Sequence, residues 1–125
     1  MRKALMLTWE GYQDNEVLYP MYRLHEDDFE VDILAESKGF IHGILGTKVK
    51  ATFESKDLTN AHVDEYDFLV IPGGVKALEK LRLESGIVEF VKDSISSTSL
   101  EGEIISINKE DVLINIGRQN GVKVG

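Results

Sequence analysis

The residues with the clearest chemical potential are two adjacent glycines that follow a short apolar run. Residues 67–74 read Asp-Phe-Leu-Val-Ile-Pro-Gly-Gly, and a helical pattern begins directly after them. Glycines at such a place let the backbone turn sharply and leave N–H groups free at a helix N-terminus, where an anion can bind. Gly73 and Gly74 are therefore a candidate anion-binding turn, although turning the chain between a strand and a helix also suffices to explain them.

Side chains that commonly perform catalysis or bind metals are sparse. The chain has no cysteine, which excludes disulfides, thiolate metal sites and thiol catalysis. Its three histidines, His25, His42 and His62, lack ligand spacing, so we predict no metal site and no cofactor. The acidic pairs at residues 27–28 and 64–65 could hold a cation, but solvated loop charges explain them as well.

Length and charge restrict the class of protein. With 125 residues the chain has room for one domain with a real core. The formal net charge of −8 argues against a nucleic-acid partner, because phosphate binding needs a clustered basic surface. No apolar run approaches the roughly 18–20 residues that span a bilayer, and residues 1–3 lead into a strand rather than a signal peptide. We therefore expect a cytoplasmic protein with neither a nucleic-acid nor a membrane partner.

The elements that would position the glycine turn alternate between strands and helices. Apolar runs predict strands at 3–8, 29–34 and 68–71, and the last is apolar on both faces, which is typical of the central strand of a parallel sheet. Between the second and third of these strands, glycines and alternating polarity at 39–53 predict a β-hairpin with one wet face, followed by a helical turn at 57–61.

Helical spacing is found in three segments. The first is 16–26, with Asp14 or Asn15 as its cap and Pro20 as a kink or a late start. The others are 75–83 and 87–95, separated by a break at Ser85-Gly86. Together with the strands, this order is typical of the front part of a doubly wound α/β sheet.

The composition changes near residue 94. Residues 94–102 are linker-like, no helix is predicted after residue 95, and two β-rich runs at 103–108 and 112–116 indicate a hairpin. Residues 104–107 are alternatively a parallel strand added to the main sheet. We predict an α/β half domain at 1–93, a junction at 94–102 and a β-hairpin at 103–125 that completes the sheet or is appended to it.

Several stretches carry a resemblance to a known family. They are residues 3–7, 11–24, 29–33, 38–43, 66–74 and 81–83. In this order they resemble the amino-terminal part of the PfpI-type intracellular protease family, within the class I glutamine-amidotransferase-like superfamily. The resemblance implies a flavodoxin-like three-layer sandwich, often assembled into dimers or larger rings. It also implies a catalytic cysteine with an adjacent histidine on an elbow, a supporting glutamate at Glu16, and an oxyanion-stabilising amide of the Pro-Gly-Gly turn at Gly74.

The chain departs from this pattern after residue 93. Where the family continues with an Ala-x-x-Cys-His-Gly elbow, this sequence has residues 94–108, so we expect a truncated sandwich with a C-terminal β-hairpin. The tail at 102–125 resembles hairpins of small β-barrel modules in cell-envelope and flagellar assembly proteins, which suggests a natural or engineered fusion.

Individual residues keep two interpretations. Glu16 is either a partly buried carboxylate that holds a proton for a nucleophile, or a first-turn helix acid that is favourable against the macrodipole. Ser106 is better explained as a solvent-facing strand residue than as a substitute nucleophile, because no base is near it in sequence. Trp9 and Tyr12 either line a pocket or serve packing or an assembly interface.

Three functions follow from these observations. The favoured one is a catalytically incompetent PfpI-like domain with a structural or interaction role that self-associates as a dimer or higher oligomer, because a truncated sheet leaves an open edge. The second is an enzyme that acts on peptides or small carbonyl compounds with a substituted nucleophile. The third is a small-anion binding module at Gly73 and Gly74.

Overall fold

A computed structural model describes residues 2–98, 104–107 and 112–115, with side chains as far as residue 95. The strands are β1 (Lys3–Leu7), β2 (Glu30–Ala35), β3 (Gly39–His42), β4 (Lys48–Ala51), β5 (Phe53–Glu54), β6 (Phe68–Ile71), β7 (Ile104–Ile107) and β8 (Val112–Asn115). The α-helices are α1 (Asp14–Glu26), α2 (Val75–Arg82) and α3 (Ser85–Thr98), and two 3₁₀ turns cover Ser55–Asp57 and Asn60–Glu65. The helical turn predicted at 57–61 is thus replaced by these two 3₁₀ turns on either side of Leu58.

A six-stranded sheet with the order β5-β2-β1-β6-β8-β7 organises the domain. Strand β1 lies between β2 and β6 and is parallel to both, with Leu5 opposite Asp32 on one side and Leu69 on the other. The three strands predicted from apolar runs are therefore neighbours in one parallel sheet. Four residues of β1, from Ala4 to Leu7, are completely buried, which explains why this strand reads as a continuous apolar run.

The predicted hairpin is confirmed as a separate two-stranded sheet. Strands β3 and β4 pair antiparallel, with Ile41 opposite Val49 and Phe40 opposite Lys50. Ile41 and Val49 are buried, whereas Phe40 and Lys50 are exposed. The alternating sequence thus gives one dry and one wet face, as a period of two requires.

The capping of α1 differs from the prediction. The helix begins at Asp14, its N-cap is Gln13, and that cap makes no side-chain hydrogen bond. The prediction that Asp14 or Asn15 caps the helix is therefore wrong. The carboxylate of Asp14 instead accepts hydrogen bonds from the β3–β4 loop. Pro20 lies inside the helix, which runs through it to Glu26.

Helix α3 also begins and ends differently from the prediction. The break lies at Leu83 and Glu84, and Ser85 and Gly86 already belong to α3. The helix continues to Thr98, so the linker predicted from residue 94 is wrong for its first five residues. The physical reason is visible at Ser94, which is completely buried and whose hydroxyl donates to the Phe90 carbonyl at 2.8 Å, so that its polar group is satisfied within the helix.

The C-terminal strands extend the sheet. Strand β8 pairs antiparallel with β6, and β7 pairs antiparallel with β8. Of the two predicted arrangements of residues 104–107, the hairpin is the one observed. Whether residues 1–93 and 103–125 are separate units stays a prediction, and the side chain of Ser106 and residues 116–125 lie outside the described part of the chain.

Candidate functional site

The predicted site residues meet at the carboxyl edge of the sheet. The backbone N–H of Gly73 donates to Glu16 Oε1 at 2.9 Å, across 57 residues of sequence. Because β1 and β6 are adjacent and parallel, the start of α1 and the turn after β6 lie at the same edge, where α/β proteins commonly bind ligands. Glu16 is half-buried, and Gly73 and Gly74 are buried. Glu16 is thus a first-turn acid that also touches the glycine turn, and its role in holding a proton stays a prediction.

Gly74 is required at its position by two independent constraints. Its φ of +117° is a conformation that side-chain-bearing residues rarely adopt. A Cβ atom there would lie 2.8 Å from the backbone N of Gln13 and 3.1 Å from the Cα of Tyr12. The Gln13 N–H in turn donates to the Gly73 carbonyl at 3.2 Å. The β1–α1 connection and the glycine turn are therefore in direct backbone contact, which only glycine permits.

A buried carboxylate beside this contact joins it to the β3–β4 loop. Asp14 is 1% exposed, and its Oδ1 accepts from the Leu45 N–H at 2.8 Å. Its Oδ2 accepts from the Thr47 N–H at 3.0 Å and from the Thr47 hydroxyl. Desolvation opposes the charge, but these hydrogen bonds outweigh it and hold the pKa of Asp14 below its usual value. Asp14 therefore fastens the loop to the first turn of α1, two residues before Glu16.

Tyr12 completes the attachment of the loop. Its hydroxyl shares a 3.1 Å hydrogen bond with the Thr47 hydroxyl, and its carbonyl accepts from the Ile44 N–H at 2.9 Å. The side chain is fully buried, and desolvation raises the pKa of Tyr12 above its usual value. Trp9 is also buried in the core. The packing interpretation of both aromatic residues is therefore the one that the structure supports.

Sequence reasoning missed the Asp14–Thr47 pair. The two residues are 33 positions apart, and no local pattern links them. A separate signal was available in Gly43, where a Cβ atom would fall 2.3 Å from Asp14 Oδ2. A glycine in an otherwise alternating hairpin indicates that another group approaches its backbone closely.

The histidines lie in other contacts. His42 Nδ1 is 3.5 Å from Glu10 Oε2, and His62 Nε2 is 3.5 Å from Glu65 Oε2. Within the described residues, no group of three or more histidines and carboxylates is arranged to hold a metal ion. The same part of the chain contains no helix that is long and apolar enough to cross a membrane. Chemically, the Pro-Gly-Gly turn offers the Gly73 N–H as a donor, and that donor is already bound to the Glu16 carboxylate.

Comparisons with known proteins agree with this architecture. Residues 2–123 match the DJ-1/PfpI family, past residue 93, where the resemblance was predicted to stop. The deglycase PfpI of Pyrococcus furiosus is 36% identical over 97% of this chain and 69% of its own length. A deglycase of Pyrococcus horikoshii is 34% identical over the same shares.

Solved structures give the fold. DJ-1 of Toxoplasma gondii superimposes with a TM-score of 0.64 at 22% identity, over 77% of this chain and 51% of that one. A two-domain protein of Anabaena variabilis with a DJ-1/ThiJ/PfpI-like domain gives a TM-score of 0.68 at 26% identity, over 77% of this chain and 27% of that one. The predicted flavodoxin-like α/β fold is thereby confirmed, and the chain spans about half the length of the T. gondii protein.

Proposed function

The chain belongs to the DJ-1/PfpI family, and from that premise we propose that it is a non-catalytic member with a structural or interaction role. The observation that carries the proposal is the hydrogen bond from the Gly73 N–H to Glu16 Oε1. In the family resemblance, the Pro-Gly-Gly turn stabilises an oxyanion and Glu16 supports a thiol. Here the Glu16 carboxylate is bound by the N–H of Gly73, the residue before the Gly74 position that the resemblance assigns to the oxyanion, and the sequence contains no cysteine to supply the thiol.

Electrostatics supports this proposal. A substrate oxyanion at the Gly74 amide would lie next to the Gly73 amide that holds the Glu16 carboxylate, and it would meet the negative charge of that carboxylate unless Glu16 were protonated. Charge-assisted hydrogen bonds of this type contribute roughly 1.5–3 kcal/mol to stability. The bond joins the first turn of α1 to the turn after β6, so its role is to hold the sheet edge together. A small-anion binding module at Gly73 and Gly74 is correspondingly less favoured, because a free anion would compete with Glu16.

A deglycase-type enzyme is the second candidate. It is favoured by the two Pyrococcus relatives, which are named deglycases and are 36% and 34% identical. The activity would be hydrolysis of peptides or conversion of small carbonyl compounds, with a nucleophile other than cysteine.

The family match runs through residue 123, so we propose one continuous family domain rather than a fusion near residue 94.

Turnover of methylglyoxal and of a peptide substrate separates the two candidates. The wild-type chain is compared with Glu16→Gln and with Glu26→Gln, which changes an exposed carboxylate on the same helix. We expect background rates for all three proteins. A rate above background that is retained in Glu26→Gln and lost in Glu16→Gln would overturn the non-catalytic proposal in favour of the enzyme.

Self-association is part of the same proposal. Large apolar side chains are exposed on α1 and on the β3–β4 hairpin, namely Tyr19, Tyr22, Phe40, Ile44 and Leu45. Exposed apolar groups on neighbouring elements are typical of interaction surfaces. We expect sedimentation velocity near neutral pH to show a dimer or larger species for the wild type. The double variant Ile44→Ser, Leu45→Ser should be monomeric. A compact wild-type monomer would contradict the self-association.

A further inference from the structure

We propose that the pocket between α2 and α3 binds a small aliphatic carboxylate. The pocket encloses about 230 Å³ and lies against the carboxyl ends of β1 and β6. Leu7, Leu81 and Ile87 are at most 4% exposed and form its base. The proposal concerns a site whose lining does not include Glu16, Gly73 or Gly74, so it does not depend on the function proposed above.

The walls of the pocket present apolar surface that is not fully covered. Ile71, Leu78 and Val91 are partly buried and pack against the core on one side while lining the pocket on the other. Covering such surface with an apolar ligand contributes about 25 cal/mol for each Å² removed from water. An apolar cavity of about 150 Å³ accommodates benzene, so this pocket has room for an aliphatic tail of several carbons.

Among the residues that the structure describes, the polar ones that line the pocket are both cations. Arg82 lies at the end of α2 and Lys92 on α3, and both are exposed. Lys92 Nζ is 3.8 Å from Glu89 Oε1, and this exposed pair between residues three apart offsets part of the Lys92 charge but contributes little stability, so a ligand can replace Glu89 as its partner. In a chain of net charge −8, two cations beside an otherwise aliphatic pocket favour a ligand with one anionic group and an apolar tail.

Isothermal calorimetry with three ligands of the same tail tests the class of ligand. Octanoate, octanol and octylamine differ only in the charge of the head group at neutral pH. We expect saturable binding of one octanoate per chain, weaker binding of octanol and the weakest of octylammonium. Added salt should weaken the binding of octanoate and leave the binding of octanol unchanged, because salt screens the exposed charges of the protein. No saturable octanoate binding below millimolar concentration, or equal binding of octylammonium, would overturn the proposal.

Matched variants test the location. Arg82→Gln should lower the affinity for octanoate roughly two- to fivefold, as expected for an exposed ion pair, and should leave the affinity for octanol unchanged. Lys80→Gln removes a charge from the same helix outside the lining and should change neither ligand. Leu78→Phe and Val88→Phe fill the pocket and should each reduce the affinity for both ligands more than tenfold, with folding verified by circular dichroism.

Two results from these variants would refute the assignment. One is unchanged octanoate affinity in whichever filled variant folds. The other is an equal effect of Arg82→Gln and Lys80→Gln. If a second copy of the chain occupies the pocket instead, Val88→Phe will lower the sedimentation coefficient, because the dimer dissociates. Octanoate will then fail to bind the wild-type dimer. This pair of results also counts against the proposal.

Discussion

Replacing Gly74 by alanine tests the closest backbone approach in the candidate site. A residue with a side chain at a φ of +117° carries strain of roughly 1–3 kcal/mol. The added Cβ would also lie 2.8 Å from the backbone N of Gln13, and overpacking of this type costs about 1–3 kcal/mol because backbone atoms yield little. We therefore expect Gly74→Ala to lower the free energy of unfolding by roughly 2–6 kcal/mol.

Two other glycines provide controls for the separate contributions. Gly46 has a φ of +92° and no heavy atom within 4 Å of a built Cβ, so Gly46→Ala should show conformational strain alone, about 1–2 kcal/mol. Gly86 lies in α3, has no positive φ and has open space, so Gly86→Ala should be neutral or stabilise by about 0.5–1 kcal/mol. Urea unfolding followed by circular dichroism measures all three variants.

The difference between the Gly74 and Gly46 variants isolates the steric contribution. At this chain length each kcal/mol corresponds to a change of roughly 3–5 °C in Tm, so thermal unfolding gives a second measurement. If Gly74→Ala destabilises no more than Gly46→Ala, the glycine turn does not pack against the Gln13 backbone, and the geometry of the site is wrong.

Further predictions concern three residues other than the glycines. Hydrogen bonds hold the folded pKa of Asp14 below 3.8, so the stabilisation from its charge is present above that pH and is lost as pH falls through the folded pKa. Asp14→Asn should therefore flatten the acid limb of the stability–pH curve and accelerate hydrogen exchange at the Thr47 amide. An unchanged acid limb would contradict this. Tyr66 donates to Asp32 Oδ2 at 2.7 Å, so Tyr66→Phe should cost about 1.5 kcal/mol or more in urea unfolding. Desolvation, together with the Asp32 hydrogen bond and charge, raises the pKa of Tyr66, so the folded protein keeps this proton above pH 10 where the unfolded chain loses it. The wild type should therefore lose more stability there than the variant, in which Tyr12 still has a raised pKa. Phe90 is completely buried, and Phe90→Ala should cost about 3–5 kcal/mol, measured in the same way; a loss below 1 kcal/mol would mean that α3 is not packed on the core.

Strands were predictable wherever burial alone determines the sequence. Residues 4–7 of β1 and residues 69–70 of β6 are apolar because both faces of the sheet are covered there, and the alternation at 48–51 follows from one covered face. Helix ends were less predictable, because the relevant hydrogen bonds are made by single side chains. Ser94 belongs to a serine-rich stretch typical of a linker, yet its hydroxyl is satisfied by its own helix.

The candidate site was predictable only in part. Gly73 and Gly74 stand out because a buried strand leads directly into them. Glu16 was found through the family resemblance, since as a residue it is an ordinary helix acid. Asp14 was assigned to the wrong partner, because a carboxylate at a helix start is usually a cap and its actual partner, Thr47, is 33 residues away. Contacts between distant residues that depend on single polar side chains leave no local pattern.

The hydrogen bond between Glu16 and Gly73 also has a consequence for the order of folding. Its partners are 57 residues apart, and they meet only after β6 has paired with β1. The β1–α1–β2 unit and the β3–β4 hairpin are formed by contacts much closer in sequence, and local contacts form sooner than distant ones. During synthesis the first turn of α1 therefore exists before the amide that it binds has been made. Protection of the Gly73 amide from hydrogen exchange consequently reports the pairing of β6 with β1 rather than formation of either turn.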